Sequence, residues 1–263
     1  IPDCGEAAPI SVTAFLPASL DKLLGIYLLT RAAVDLFELT PLMNRVLMLI
    51  GAGTVICGVM MALVQHDLKR LLSYHAVSQV GYMVLGIGTG TLIGMAGALF
   101  HMLNNAIYKS CLFLGAGAVE KQTGETDMDK LGGLAKLMPL TFSAFLVAAL
   151  AISGIPPLSG FASKWMVYQG IIEAGKQGDG LWVVWLVAAM LGSALTLASF
   201  VKVLHAVFLR NATPAVQKKQ PREVTALMWL PMLVLAILCL LFGIFPQALP
   251  LGGLIFPALG QTE

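Results

Sequence analysis

The chain has 263 residues, of which 58% are hydrophobic and 11% charged, with a mean hydropathy of +0.85 and a formal net charge of +2. A soluble domain carries about 25% charged residues, so these values indicate a membrane protein. The small net charge, with no basic patch interleaved with exposed aromatics, excludes a nucleic-acid partner.

At roughly 20 residues per crossing, the sequence predicts an all-α polytopic membrane protein, a single transmembrane domain over 1–263 with about seven spans. Its opening, Ile1-Pro2-Asp3-Cys4, lacks Met and reads as the start of a processed or split chain. The first span, 11–37, carries Asp21 and Lys22, and Pro9 and Pro17 predict an irregular entry. The second, 42–64, is glycine-rich at Gly51, Gly53 and Gly58, which suits close helix packing. A charged break from His66 to Arg70 leads to the third, 71–87. That span is polar for a membrane helix, with Ser73, Tyr74, His75, Ser78, Gln79 and Tyr82, and should face other helices.

The fourth span, 91–119, holds His101, Asn105 and Lys109 at i, i+4, i+8, one stripe roughly 80° wide. A soluble loop of mixed charge, 120–136, follows. The fifth, 139–172, is broken at 153–160, where Gly154, Pro156, Pro157 and Gly160 forbid a continuous helix, and it resumes ahead of Lys164. Non-helical backbone at membrane depth survives only against protein or a wet cavity, and broken helices mark ion sites in transporters. The sixth span, 181–209, carries Lys202 and His205 on one face near its end, before a basic loop. The seventh, 225–245, precedes a Pro/Gly-rich apolar tail. Counting Lys and Arg in alternate loops gives nine on one side and three on the other. The positive-inside rule then puts the N-terminal end in the cytoplasm and the C-terminal end outside.

A charged side chain at mid-membrane costs on the order of 2.5–3.5 kcal/mol, so Lys22, Lys109, Lys164 and Lys202 each need a reason. Each has a structural one: Asp21 beside Lys22, carbonyls and water around Lys109 and Lys164, and the membrane surface for Lys202. The functional alternative is that a buried lysine loads and releases protons as neighbouring charges change. His101 shares the Lys109 stripe, so a relay role fits it, and His75 is a second candidate. Asn105 does not titrate near neutral pH and can only hold water or orient a neighbour. Cys4, Cys57, Cys111 and Cys239 have no metal-type spacing and read as packing residues, so neither a metal centre nor a disulfide framework is expected. Gly86, Gly88 and Gly90 lack the preceding strand of a phosphate-binding loop. No nucleophile–base pair and no redox-cofactor ligands stand out, so no cofactor is expected and any catalysis belongs to partners.

Four ordered motifs carry a family resemblance. The run from Asp67 to Tyr82 (DLKRLLSYHAVSQVGY) resembles a signature of antiporter-like membrane subunits. Such subunits occur in respiratory complex I, Mrp-type sodium/proton antiporters and membrane-bound group 4 [NiFe] hydrogenases. Phe100 to Gly117 (FHMLNNAIYKSCLFLGAG) resembles their central lysine helix. Asp129 to Lys136 (DKLGGLAK) and Ile152 to Lys164 (ISGIPPLSGFASK) resemble the loop and broken helix that follow it. Leu131 to Pro139 and the Tyr74–His75 pair are most similar to the hydrogenase branch. The family fold has about fourteen helices in two inverted repeats plus flanking helices, and this sequence resembles its second half. The first repeat falls outside the sequence, on another chain, on a further segment, or lost.

The resemblance implies that Lys22 links two half-channels, Lys109 is the central carrier and Lys164 lies on the output side. Asn105 stands where some members have a second histidine. The implied function is proton or sodium translocation in a redox-driven complex or an Mrp-like antiporter of a prokaryotic inner membrane. Its implied partners are further antiporter-like subunits and a hydrogenase-like, NADH-linked or ferredoxin-linked redox module. A non-conducting scaffold is the rival reading. A seven-helix receptor or small-solute channel leaves the broken span and the lysine row without a role.

Overall fold

In a computed structural model, residues 3, 5, 8–15, 20–36 and 39–260 are described. Cys4 and Pro17 lie outside them. Within the expected first span the described helices are α1 (Ile10–Phe15) and α2 (Asp21–Arg31), the latter with a π-helical extension Ala32–Leu36. Next come α3 (Pro41–Leu63), α4 (Leu68–Gly88) and α5 (Leu92–Thr123). Each of these three starts at a side-chain cap that occupies an orphan backbone N–H: Thr40, Asp67 and Thr91. α5 runs beyond the expected end at 119 and stops at Gly124, whose φ of 65° is left-handed.

A short helix α6 (Leu134–Leu137) leads into the interrupted element, α7 (Pro139–Ser153) and α8 (Ser159–Lys176). α9 (Trp182–Val203) continues as a π-helical turn Leu204–Leu209. α10 (Pro214–Lys219) lies on the loop end, and α11 (Ala226–Ile244) is followed by a π-helical tail Gln247–Ile255 and α12 (Phe256–Ala258). Among the described residues there is no strand, only an isolated bridge between Asp67 and Asp127. Pro41–Leu63, Trp182–Leu209 and Ala226–Ile244 are each long and apolar enough to cross a membrane. Their outer faces carry exposed Leu49, Val187, Leu227 and Ile237, as expected of surfaces meeting lipid or other membrane chains.

α3 and α4 pack backbone to backbone. A Cβ on Gly51 would lie 2.6 Å from the Leu85 nitrogen, and one on Gly81 2.6 Å from the Val55 nitrogen. Gly58 faces the same seam, whereas Gly53 has open space around it and takes no part. The interruption has a local cause. Gly154 is left-handed (φ 82°) and its N–H reaches the Ala151 carbonyl, while Ile155 N–H returns to Leu150, so α7 ends in a Schellman-type turn. The chain restarts at Ser159 against the end it has just left. A Cβ on Gly160 would come within 1.8 Å of the Ala151 oxygen.

Candidate functional site

α4 carries a line of polar groups at three- and four-residue intervals: the Leu72 carbonyl, His75, Gln79 and Tyr82. Each meets a group on a neighbouring helix. Lys109 Nζ on α5 donates to the Leu72 carbonyl at 2.6 Å. One turn on, His75 Nε2 lies 2.8 Å from Ser199 Oγ of α9, with its ring against Phe200. Next, Gln79 Oε1 is 3.1 Å from His101 Nε2. Finally, the Tyr82 ring lies beside His101, with centroids 5.6 Å apart, and under Lys164 Nζ at 4.6 Å. The polar third span is polar because it forms one wall of this row.

His101 is fully buried and has a partner on each ring nitrogen: Ser163 Oγ at 2.9 Å from Nδ1, and both Gln79 and Tyr108 at Nε2. The Ser163 and Tyr108 hydroxyls can each donate or accept, so either neutral tautomer and the imidazolium all find partners. That is the arrangement a proton-exchanging imidazole needs. Asn105 Nδ2 donates to the Tyr108 hydroxyl at 3.2 Å, which ties Asn105 to His101 through Tyr108. Lys109, the third member of the stripe, turns instead to the Leu72 carbonyl.

Lys164 is likewise held by neutral groups. Its ammonium donates to the Ile152 carbonyl at 2.9 Å, near the C-terminal end of α7, where the helix dipole and unused carbonyls favour a cation. Gly154 lies against the same side chain, and Pro156 and Pro157 complete the break. Asn104 Nδ2 ties α5 to the restart of the broken helix through the Ser159 carbonyl, at 3.0 Å. His75 is within electrostatic reach of both Lys109 and Lys164. Lys22 on α2 is buried and within electrostatic reach of Lys109. The side chain of Asp21, the expected local partner of Lys22, lies outside the described residues.

The last two expected residues are placed elsewhere. Lys202 donates to the carbonyls of Leu63 at 3.0 Å and Gln65 at 2.9 Å, closing the C-terminal end of α3. His205 points outward from the π-helical turn and is exposed, apart from the row. Sequence reasoning missed Tyr108 as a site residue, although i, i+7 from His101 puts it on the same helix face. Gln79 and Tyr82 were visible only as polarity, and Ser163, one residue before Lys164, gave no signal. Cys111 Sγ lies 3.5 and 3.4 Å from the Ala144 and Met232 carbonyls, and its one S–H can donate to either, a packing role. Among the described residues no three His, Cys, Asp or Glu side chains come together as metal ligands would.

Comparison with known proteins adds the following. The profile of the family described as NADH:quinone oxidoreductase/Mrp antiporter, TM, matches residues 1–196. Hydrogenase-4 component B of Escherichia coli is 36% identical over 262 residues, covering 93% of this chain and 39% of that protein. NADH-quinone oxidoreductase subunit N of Desulforudis audaxviator is 35% identical over 260 residues, covering 94% of this chain and 50% of that protein. A chain of the Mrp complex from Dietzia sp. superposes with a TM-score of 0.86 at 25% identity, covering 99% of this chain and 54% of that one. This chain therefore spans half or less of the length of those two relatives.

Proposed function

Since this chain belongs to the NADH:quinone oxidoreductase/Mrp antiporter membrane family, we propose that it moves protons or sodium ions across a membrane as part of a multi-subunit complex. The observation that carries this reading is the row itself. Lys109 and Lys164 are fully or almost fully buried, and their described hydrogen-bond partners are backbone carbonyls. A cation fixed by a carboxylate keeps its proton; one held by carbonyls and rings can release it when a neighbouring charge changes. Between the two lysines, His75 and His101 supply titratable steps.

Buried polar atoms beside the row support the same reading. His75 Nδ1, Gln79 Nε2, Asn104 Oδ1 and Asn105 Oδ1 are buried polar atoms with no partner among the described residues, all beside the row. Such atoms are costly to leave bare, and water is the smallest group that satisfies them.

In this reading about seven spans cross the cytoplasmic membrane of a prokaryote, with the basic loop end and the N-terminal end inside and the C-terminal end outside. Ions pass Lys22, Lys109 and the His75–His101 region, and leave by Lys164 and the interrupted helix. Further antiporter-like subunits and a redox module are the partners, and they supply the driving force through charges along the row.

The test is Lys109→Ala in the assembled complex, reconstituted in vesicles with a pH-sensitive or sodium-sensitive dye. Ion transport should fail while assembly stays intact. Normal transport would favour the scaffold reading instead.

A further inference from the structure

Among the described residues Lys164 makes one hydrogen bond, to the Ile152 carbonyl, yet an ammonium has three N–H groups and this one is 2% exposed. Its other described neighbour is the face of Tyr82, 4.6 Å from Nζ to the ring centroid. A cation over an aromatic face is attracted by the ring quadrupole, and most strongly where both are desolvated. The same ring lies beside the His101 imidazole, so it neighbours both groups.

The ring is itself fixed by a directed chain of hydroxyls. Tyr82 O–H donates to the Ala189 carbonyl at 2.7 Å. Having one proton, it can only accept from Ser193 Oγ, 3.0 Å away. Ser193 must then accept from the Tyr168 hydroxyl at 2.7 Å. Three helices, α4, α8 and α9, thus set the plane of a ring whose face meets the ammonium.

We propose that Tyr82 is a positioning residue for ion transfer: its ring face holds the Lys164 ammonium at the helix break, beside His101. This rests on the reading that Lys164 carries the ion. Without the face, the ammonium keeps one carbonyl and no longer has a defined place relative to the imidazole.

The experiment uses the assembled complex in vesicles, with transport expressed per assembled complex. Tyr82→Phe keeps the face and should transport within a fewfold of the parent. Tyr82→Leu should transport about tenfold more slowly. Phenylalanine carrying one, two and then three ring fluorines at position 82 keeps nearly the same volume while weakening the quadrupole. Transport should fall stepwise along that series, which a packing role would not produce. A flat fluorine series overturns the proposal even if Tyr82→Leu fails to assemble. Lys164→Ala separates the two levels. If it transports normally, Lys164 is not on the route and both readings fall. If it is inactive while the fluorine series is flat, only the role of the ring falls.

Discussion

The interior row and the loop end use the same kinds of side chain to opposite effect. At the loop end, cations meet carboxylates or cap backbone. Lys130 pairs with Glu125 and Asp127 at 3.2 and 3.3 Å, and Lys69 with Glu120 at 3.4 Å, while the His66 ring hydrogen-bonds Asp129 at 2.8 Å. Arg210 donates to the carbonyls of Met128, Asp129 and Leu131, and Lys219 to that of Thr123. These contacts tie the loops after α3, α5 and α9 into one surface. In the interior, no carboxylate is among the described partners of Lys109 or Lys164, only carbonyls and aromatic faces. Paired charges resist a change of protonation, whereas buried cations with neutral partners respond to each nearby charge. The loop end holds its charges in pairs, and the row leaves its cations open to neighbouring charges.

The contrast breaks most directly by removing one lysine from each region. Lys109→Ala should lower ion transport by roughly a hundredfold or more, the scale of losing a positioned proton-transfer group. Lys130→Ala should leave transport within about twofold, because exposed pairs contribute little. Equal losses in the two variants, measured in vesicles, would erase the distinction.

A larger structural effect is expected at the break. A methyl group at position 160 would sit 1.8 Å from the Ala151 oxygen, so Gly160→Ala must push the two half-helices apart. A cost of about 3 kcal/mol is expected, of the order seen for overpacked cores. The melting temperature of the complex should fall, together with transport, since Lys164 is registered across that gap.

Lys202→Ala should do the reverse of Lys109→Ala. It removes two carbonyl contacts at the end of α3, worth about 1–2 kcal/mol of stability, and leaves the row intact. Melting should drop by a few degrees while transport per complex is unchanged. A selective loss of transport would return Lys202 to the ion route.

Much of this was legible because membrane burial leaves few polar residues, and each stands out. The break at Gly154 and Gly160 was readable from glycine and proline alone, since no tertiary context lets that run stay helical. The buried stripe of His101 and Lys109 followed from a period of 3.6 residues. Which atoms complete the stripe was not readable. Tyr108 and Ser163 act through hydroxyls that look ordinary in sequence, and their role depends on how α5 and α8 are rotated against each other. The partners of Lys202 were hidden for the same reason: its spacing matches a side chain near a helix end, but which carbonyls of α3 it meets depends on how the helices pack. His205 shares its sequence face, yet the π-helical turn carries it outward.

The smallest expected effect lies in the loop from 124 to 130 and sharpens the comparison from its other side. The Asp127 amide and Lys130 hold the Glu125 carboxyl below its ordinary range, and the Asp129 amide and Lys130 do the same for Asp127. Both carboxylates in turn raise Lys130. A depressed carboxyl contributes stability above the ordinary carboxylate range and loses it as pH falls through the lowered value. A raised lysine contributes below its ordinary value and loses it as pH rises through the raised one. The loop should therefore be firmest across neutral pH and loosen at both extremes, by a small amount because these groups are exposed. Amide hydrogen exchange of residues 124–130, corrected for intrinsic rates, should show that plateau. Ion transport should not share its acid edge, because Lys109 and Lys164 have no described carboxylate partner to protonate. If transport and loop protection fall together as the pH is lowered, the loop end is coupled to the row and the two regions are one device.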